Sequence, residues 1–347
     1  MNTSWGFLYL SYHRKGDSMQ ITIYNERPDE TILFDKEITR RGWTTVRTAQ
    51  SAVKETLTLA RGSCAIFITP TTRLTAPVIA ALHEEGIRYI LTRSTGVDHI
   101  DIAALTRYGM KMANVPVYSQ HAVPEFSLLL ALSLIRRFPQ AEKRVRCLDF
   151  TMDAGIQGKE LASMTAGVIG TGQIGGEVIR LLHGFGSKIL AYSPHPKKAL
   201  LPYASFTDID TLFRQSDILF LQCALNESTM GMINSASISH MKDGVYIVNT
   251  ARGELLTLTD VLSALRSGKI AGLAADVVPG ESLYLRRQWK GQAFPLQEAE
   301  TLLSMDNVIY TPHMAYFTNV SVQNIIAHSF EHLDAFLAEE RCKRQQA

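Results

Sequence analysis

The stretch Gly167-Val-Ile-Gly-Thr-Gly-Gln-Ile-Gly175 decides the fold of this chain of 347 residues. Its apolar start predicts a buried strand, and the periodic apolar residues of 174–185 predict a helix that opens within the glycines. Gly170 allows a tight turn, Gly172 lets the backbone approach a pyrophosphate, and Gly175 allows close packing of the helix on the strand. The helix N-terminus adds N–H groups and a partial positive charge. The stretch therefore predicts a dinucleotide-binding unit, with a tight turn that binds no ligand as the alternative.

Apolar runs and helical patterns alternate on both sides of this stretch, which is typical of βαβ units and parallel sheets. The predicted strands cover 21–24, 45–48, 65–69, 89–92 and 111–114, then 166–169, 188–192, 218–221, 245–248, 270–275 and 308–310. An amphipathic helix over 321–338 is expected to return to the first domain. We therefore predict an α/β fold of two doubly wound, Rossmann-like parallel-sheet domains. Residues 19–117 with 317–347 form the substrate domain, and the inserted residues 118–316 form the dinucleotide-binding domain.

Three segments do not follow this alternation. Residues 1–18 lack the apolar core and cleavage site of a signal peptide, and we interpret them as an N-terminal extension before a natural start at Met19. Residues 125–135 are almost wholly apolar but too few to cross a bilayer, so they predict a helix buried between the domains. The basic residues at 136–137 and 143–146 predict a solvated face or a subunit contact.

The composition argues against several classes of protein. Lys+Arg number 35 and Asp+Glu 33, and the net charge of +2 gives no electrostatic case for binding nucleic acid or an anionic membrane. No apolar run reaches the roughly 18–20 residues of a membrane span. The four cysteines form no CxxC pair, which argues against a disulfide framework or a metal cluster and favours a reducing cytoplasm.

The strand after the glycine-rich loop lacks the acid that usually binds the adenosine ribose of NAD. That strand, 188–192, ends in Ser193, and Pro194-His-Pro-Lys-Lys198 follows. A serine removes the anion that repels a 2′-phosphate, and the basic loop could attract one. A solvated loop with NAD still accepted is the alternative, so the cofactor is predicted as NAD or NADP.

Three further strand ends carry an arginine, a glutamate and a histidine. Arg252 follows the strand at 245–248, Glu281 follows 270–275, and His313 follows 308–310. An arginine offers a planar pair of donors to a carboxylate. A histidine held by a carboxylate is a proton donor with a raised pKa, suited to a carbonyl oxygen that receives hydride at its carbon. We expect these strand ends to converge at one cleft.

With these motifs in place, the chain resembles the D-specific 2-hydroxyacid dehydrogenases, and within them the D-lactate dehydrogenase branch that includes the vancomycin-resistance enzymes. The matching blocks are Ser94-Thr-Gly-Val-Asp-His-Ile-Asp101, Gly167-Val-Ile-Gly-Thr-Gly-Gln-Ile-Gly175, Asn249-Thr-Ala-Arg-Gly253, Asp276-Val-Val-Pro-Gly-Glu281 and Thr311-Pro-His-Met-Ala-Tyr316. They extend over nearly the whole chain.

The resemblance implies a role for each matching residue. Arg252 binds the substrate carboxylate and polarises the keto group, His313 is the acid/base, and Glu281 is its partner. Substrate contacts are implied for Thr95, Gly96, Tyr118, Arg252 and Tyr316. Cofactor contacts are implied for Gly170, Gly172, Gln173, Ile174, Gly175, Ser193, Cys223, Ala224, Thr229, Thr250, Ala251, Arg252 and Asp276. Among these, Thr250 and Ala251 are implied to lie near the nicotinamide, and Asp276 to bind its carboxamide. The resemblance also implies a homodimer with its contact region at 119–160.

Three positions depart from the family pattern. Ser193 replaces the usual acid, which puts the preference for NAD in doubt. Gln222-Cys-Ala224 stands where the family commonly has His-x-Pro, and we expect it to alter cofactor affinity more than chemistry. Pro279 occupies a position that is often acidic. None of these changes removes a predicted catalytic group.

The expected activity is NAD(P)H-dependent reduction of a small 2-oxo acid, pyruvate first, to the D-2-hydroxy acid. A dehydrogenase for bulkier branched or aromatic 2-oxo acids is the alternative among enzymes. A dinucleotide-sensing protein similar to the transcriptional corepressors is the alternative of another class.

Overall fold

The computed structural model describes residues 19–346, and the predicted extension at 1–18 lies outside the described residues. The chain forms two compact units, one containing residues up to Tyr118 and from Val322 onward, the other Ser119–Ser321. The sequence predicts these boundaries at 117/118 and 316/317, one and five residues before the boundaries in the structure, the second of which lies just inside a helix that begins at Asn319.

The first unit begins with a five-stranded parallel sheet of order β2-β1-β3-β4-β5. Its elements are β1 (Gln20–Ile23), α1 (Thr31–Arg41), β2 (Thr44–Arg47), β3 (Ala65–Ile68), α2 (Ala76–Glu84), β4 (Tyr89–Thr92), α3 (Ile102–Arg107) and β5 (Lys111–Ala113). Every residue of β3 and β4 is buried, since helices cover both faces of a parallel sheet.

The second unit contains a seven-stranded parallel sheet of order β12-β11-β10-β9-β6-β7-β8. Its elements are α4 (Ala122–Ile135), α5 (Phe138–Arg146), β6 (Thr165–Ile169), α6 (Gln173–Gly184), β7 (Lys188–Tyr192), β8 (Ser205–Phe206), α7 (Ile209–Gln215), β9 (Ile218–Leu221), α8 (Ser235–His240), β10 (Val245–Asn249), α9 (Leu258–Ser267), β11 (Ile270–Ala275), α10 (Gln297–Leu303) and β12 (Val308–Tyr310). The chain moves outward in both directions from β6, which is the doubly wound pattern and places ligands at the carboxyl ends of the strands.

The last helix, α11 (Asn319–Gln346), packs on the first sheet. Val322, Ile326 and Phe330 join Ile21 and Phe67 in one buried cluster. The chain returns to its first unit because the apolar face of this helix is buried against the first sheet.

The predicted α/β class with two doubly wound sheets is confirmed. All the predicted strands are present, whereas the two-residue β8 and the short helices α3, α5 and α10 were not expected from the sequence. The apolar segment 125–135 lies in α4, where Leu128, Ala131 and Ile135 pack with Val178 and Leu182 of α6 in one buried cluster of the second unit. Within residues 19–346, no helix combines the length and the apolarity that crossing a membrane requires.

Candidate active site

Three neighbouring strands of the second sheet end beside one another and carry the predicted catalytic residues. Arg252 follows β10, Glu281 follows β11 and His313 follows β12. His313 Nδ1 lies 2.6 Å from Glu281 Oε1, a hydrogen-bonded ion pair when the ring is protonated. Arg252 is close enough for its charge to act on the ring. The structure thus brings together these three side chains from separate loops.

His313 is held by the residues on both sides of it. Its backbone lies in the left-handed region (φ 53°), where non-glycine residues are uncommon. The Asp276 carboxylate, 1% exposed, accepts hydrogen bonds from the Thr311 hydroxyl (2.5 Å) and from the N–H groups of Met314 (2.9 Å) and Ala315 (2.8 Å). The Asp276 carbonyl accepts from the His313 N–H at 2.9 Å. Asp276 therefore anchors the loop that presents the imidazole.

Glu281 is oriented by its own turn. Its Oε2 accepts from the Val278 N–H at 3.2 Å, which leaves Oε1 directed at His313. Gly253 allows the neighbouring loop to come this close, because a Cβ there would lie 2.1 Å from the Val278 carbonyl carbon. The loops carrying Arg252 and Glu281 are thus packed backbone to backbone.

Asn249 fixes the loop that carries Arg252. This residue is fully buried at the end of β10, and its amide N–H donates to the Arg252 carbonyl at 2.9 Å. Its Oδ1 accepts from the Ala251 N–H at 3.1 Å. The guanidinium Nη1 donates to the Ala251 carbonyl at 2.7 Å, which ties the far end of the side chain to its own loop.

The electrostatics of this cluster favour a protonated His313. Burial lowers the pKa of His313, but the hydrogen bond and charge of Glu281, together with the charge of Asp276, outweigh the burial and the opposing charge of Arg252. The pKa of His313 therefore lies above its ordinary value, and the ring holds a proton at higher pH than a free imidazole does.

The glycine-rich loop has the geometry that the sequence predicts. Gly170 has φ 95°, and a Cβ there would lie 2.6 Å from the backbone of Gln222 and Cys223. A Cβ on Gly175 would lie 1.9 Å from the Gly170 carbonyl oxygen, so only glycine allows α6 to approach β6 this closely. Apart from the residues on either side of it in the chain, no described residue has a heavy atom within 4 Å of a Cβ built on Gly172. The loop is closed on its protein side and open where a ligand would approach.

This loop fits a dinucleotide phosphate. Gln173 and Ile174 open α6, a helix of 12 residues whose first N–H groups have no partner within the helix. The Thr171 hydroxyl is buried and has no hydrogen-bond partner among the residues that the structure describes. An unsatisfied buried hydroxyl beside an open helix N-terminus is available to a ligand or to water.

The other predicted cofactor residues lie at neighbouring strand ends. Ser193 follows β7 and forms a local turn with His195, with both contacts at 3.3 Å. Thr229 closes the loop after β9 by donating its hydroxyl to the Ala224 carbonyl at 2.8 Å. The Cys223 thiol lies 3.7 Å from the Met232 sulfur, and burial raises the pKa of this thiol to about 11, so it is neutral and unreactive near pH 7.

The predicted substrate residues lie partly in each unit. In the first unit, the Thr95 hydroxyl donates to the Val115 carbonyl at 3.1 Å, and the Ser94 hydroxyl donates to the Gly96 carbonyl at 2.8 Å. The Tyr118 carbonyl, also in this unit, accepts from Asn324 at 2.8 Å. In the second unit, the Tyr316 ring meets the His313 ring edge to face at 6.4 Å.

Sequence reasoning missed three supporting residues, Asn249, Gly253 and Thr311. Each lies within one of the blocks that match the family pattern, and each acts on a neighbouring loop or on the catalytic loop itself. An asparagine, a glycine and a threonine within three residues of predicted catalytic residues are the signals that could have pointed to them.

Comparisons with known proteins identify the family to which the chain is similar. Residues 128–315 match the family model described as D-isomer specific 2-hydroxyacid dehydrogenase, NAD binding domain. A D-2-hydroxyacid dehydrogenase (NAD+) of Lacticaseibacillus paracasei is 35% identical over 92% of this chain and 96% of that protein. An aromatic 2-oxoacid reductase of Clostridium sporogenes is 35% identical over 94% of this chain and 99% of that protein.

A solved structure gives the same result. The D-lactate dehydrogenase of Aquifex aeolicus, described as complexed with NAD and lactic acid, superposes with a TM-score of 0.84 at 30% identity. The match covers 92% of this chain and 96% of that one. The chain belongs to the family of D-isomer-specific 2-hydroxyacid dehydrogenases.

Proposed function

We propose that this protein reduces a small 2-oxo acid, pyruvate first, to the D-2-hydroxy acid, and that the reaction is reversible. The observation that carries the proposal is the 2.6 Å contact between His313 and Glu281 at strand ends next to Arg252. The D configuration rests on family membership.

Each of the three side chains has a defined part in the reaction. When a reduced nicotinamide is bound, it supplies the hydride that adds to the keto carbon. Arg252 binds the substrate carboxylate through paired N–H donors and draws electron density from the keto group. His313 gives its proton to the carbonyl oxygen, and Glu281 stabilises the charged ring before the transfer. One hydride and one proton thus convert the C=O group to CH–OH.

Initial rates with pyruvate, 2-oxoisocaproate and phenylpyruvate test the substrate. We expect the highest kcat/KM with pyruvate. The similarity to an aromatic 2-oxoacid reductase supports the second candidate, a dehydrogenase for bulkier 2-oxo acids. A higher kcat/KM with phenylpyruvate or 2-oxoisocaproate would select that candidate. Dinucleotide binding without turnover of any of the three acids would instead favour a sensor.

Replacement of Glu281 by Gln tests the proton donor through its pH dependence. The wild-type pKa of His313 is raised, so reduction should stay fast until the pH rises through that value and then decline. The substituted amide carries no charge, so burial lowers the pKa of His313 and the decline should begin at a lower pH. The measurement is kcat/KM for reduction against pH, with exposed Glu300→Gln as control. Superimposable profiles for wild type and Glu281→Gln would contradict the assigned partnership.

The enzyme is further proposed to accept NADPH as well as NADH. Ser193 carries no charge, and His195, Lys197 and Lys198 beyond it are exposed. Ser193→Asp should lower kcat/KM with NADPH by about tenfold, because a carboxylate repels the 2′-phosphate, and should change the value with NADH less. The comparison needs both coenzymes and the control Ser239→Asp, at an exposed position of α8. If kcat/KM of the wild type were much higher with NADH than with NADPH, the proposal that the basic loop accepts a 2′-phosphate would be wrong.

The protein is proposed to form a homodimer through the segment 138–152. Phe138, Leu148, Phe150 and Met152 are 60%, 83%, 72% and 89% exposed, an unusual set of apolar side chains in one short segment. Light scattering should give a mass near twice 38.6 kDa for the wild type. Phe150→Asp with Met152→Asp should give the monomer mass, whereas a monomeric wild type at micromolar concentration would refute the assignment.

A further inference from the structure

The side chain of Gln222 links three elements of the second unit beneath the predicted nicotinamide end of the site. Its Nε2 lies 2.9 Å from the Thr250 hydroxyl at the end of β10 and 3.2 Å from the Ser127 hydroxyl of α4. The two hydroxyls lie 2.6 Å apart, and Ser127 Oγ lies 2.8 Å from the Val123 carbonyl. Ser127 is fully buried and Thr250 is 9% exposed.

Hydrogen counting gives this network one arrangement. It contains four contacts, and its donors are the two amide hydrogens of Gln222 and one hydrogen on each hydroxyl. Ser127 must donate to Val123, because a carbonyl only accepts. Thr250 must then donate to Ser127, and Gln222 donates to both hydroxyls. If the amide were turned so that Oε1 faced the hydroxyls, only the two hydroxyl hydrogens would be available for the four contacts, and two of these contacts would contain no hydrogen.

The arrangement decides what Thr250 offers to a ligand. Its only hydrogen is used on Ser127, so its remaining lone pair makes it a hydrogen-bond acceptor and not a donor. The Cβ and backbone of the same glutamine lie beside the glycine-rich loop, since a Cβ built on Gly175 would lie 3.2 Å from Gln222 Cβ and one built on Gly170 would lie 2.6 Å from the Gln222 carbonyl carbon. Gln222 occupies the position where the family commonly has a histidine, which titrates, whereas an amide does not.

We propose that Gln222 is a positioning residue that holds the Thr250 hydroxyl as an acceptor for the carboxamide N–H of the nicotinamide. The inference rests on the proposed function, because it takes Thr250 to lie beside the nicotinamide. We expect the effect at the nicotinamide end of the cofactor, because the amide of Gln222 binds Thr250 and Ser127, whereas only its Cβ and backbone lie beside the loop that is predicted to bind the pyrophosphate.

The test compares the binding of NADH with that of ADP-ribose, which lacks the nicotinamide, and needs no turnover. Gln222→Met keeps the chain length but has no donor, so the Thr250 hydroxyl loses its fixed direction. The dissociation constant for NADH should rise about three- to tenfold, the worth of about one net hydrogen bond, and that for ADP-ribose should change less than about twofold. Gln215→Met, at an exposed position of α7, is the matched control and should leave both constants unchanged.

Gln222→Glu is the second variant, and it keeps the shape while offering only acceptors when ionised. Gln222→Glu should also raise the dissociation constant for NADH more than that for ADP-ribose. Any effect of the new charge on the ADP-ribose part, which both ligands share, cancels in the ratio of the two dissociation constants. An unchanged ratio in both variants, or an equal loss for the two ligands, would overturn the inference. A wild type that binds neither ligand would overturn the proposed function itself, so the two failures are distinguishable.

Discussion

Replacement of His313 by Asn should lower kcat for reduction of pyruvate by roughly 10²- to 10⁴-fold, the usual contribution of a positioned general acid. Asparagine tolerates the left-handed backbone that this position requires (φ 53°), so the loop should keep its conformation. The amide has no proton to give at the pH of the assay. We therefore expect kcat to fall while the protein remains folded.

Two measurements separate this result from a general loss of structure. NADH affinity should stay within about threefold of the wild type, because His313 follows β12 and is not part of the glycine-rich loop between β6 and α6 that is predicted to bind the pyrophosphate. His240→Gln serves as the control, since His240 is exposed and lies 3.9 Å from Asp210, away from the cluster. Near wild-type turnover in His313→Asn would mean that another group gives the proton.

The fold class could be predicted from the sequence because the signals for it are local. The strand, glycines and helix around Gly170 are contiguous, and their steric requirements follow from the residue types and their spacing alone. The buried strands appear as short apolar runs between helical patterns, and all of those predicted were found. The two-residue β8 was missed because Ser205 and Phe206 are too few to show a period.

The contacts that support the site could be predicted much less well. The sequence suggested that Glu281 and His313 meet, and the structure places them 2.6 Å apart. It gave no indication that Asp276 accepts three hydrogen bonds from residues 35 to 39 positions later, since that depends on how β11 and β12 pair. The resemblance assigned Asp276 to the nicotinamide carboxamide, which stays a prediction. Its observed contacts add a task, holding the loop of His313.

The hydrogen bonds of Gln222 could not be predicted from the sequence either. A departure from His-x-Pro was visible in the sequence, and it predicted only a change in cofactor affinity. The partners, Ser127 and Thr250, lie 95 and 28 residues away along the chain. A hydrogen-bond direction that depends on three side chains from different elements is a property of the packed structure, and the pattern of residues in one strand does not contain it.

Replacement of Arg252 by Lys should lower kcat/KM for pyruvate by roughly 10²- to 10³-fold. Lysine keeps the positive charge but replaces the planar pair of donors with a point charge, so a carboxylate is no longer bound through two parallel hydrogen bonds. Loss of about one or two charge-assisted hydrogen bonds, at about 1.5–3 kcal/mol each, accounts for an effect of this size. Asn249 and Gly253 hold the backbone of this loop, so the substitution should leave its position unchanged.

Binding of oxamate to the enzyme–NADH complex separates anchoring from turnover. Oxamate carries the carboxylate of the substrate but accepts no hydride, so its affinity should fall in Arg252→Lys by most of the factor lost in kcat/KM. Arg266→Lys, on the exposed side of α9, should bind oxamate as the wild type does. If Arg252→Lys kept full affinity for oxamate and lost only kcat, the guanidinium would act on the keto oxygen alone. The carboxylate would then need another anchor, and the assignment of Arg252 as its binding residue would be wrong.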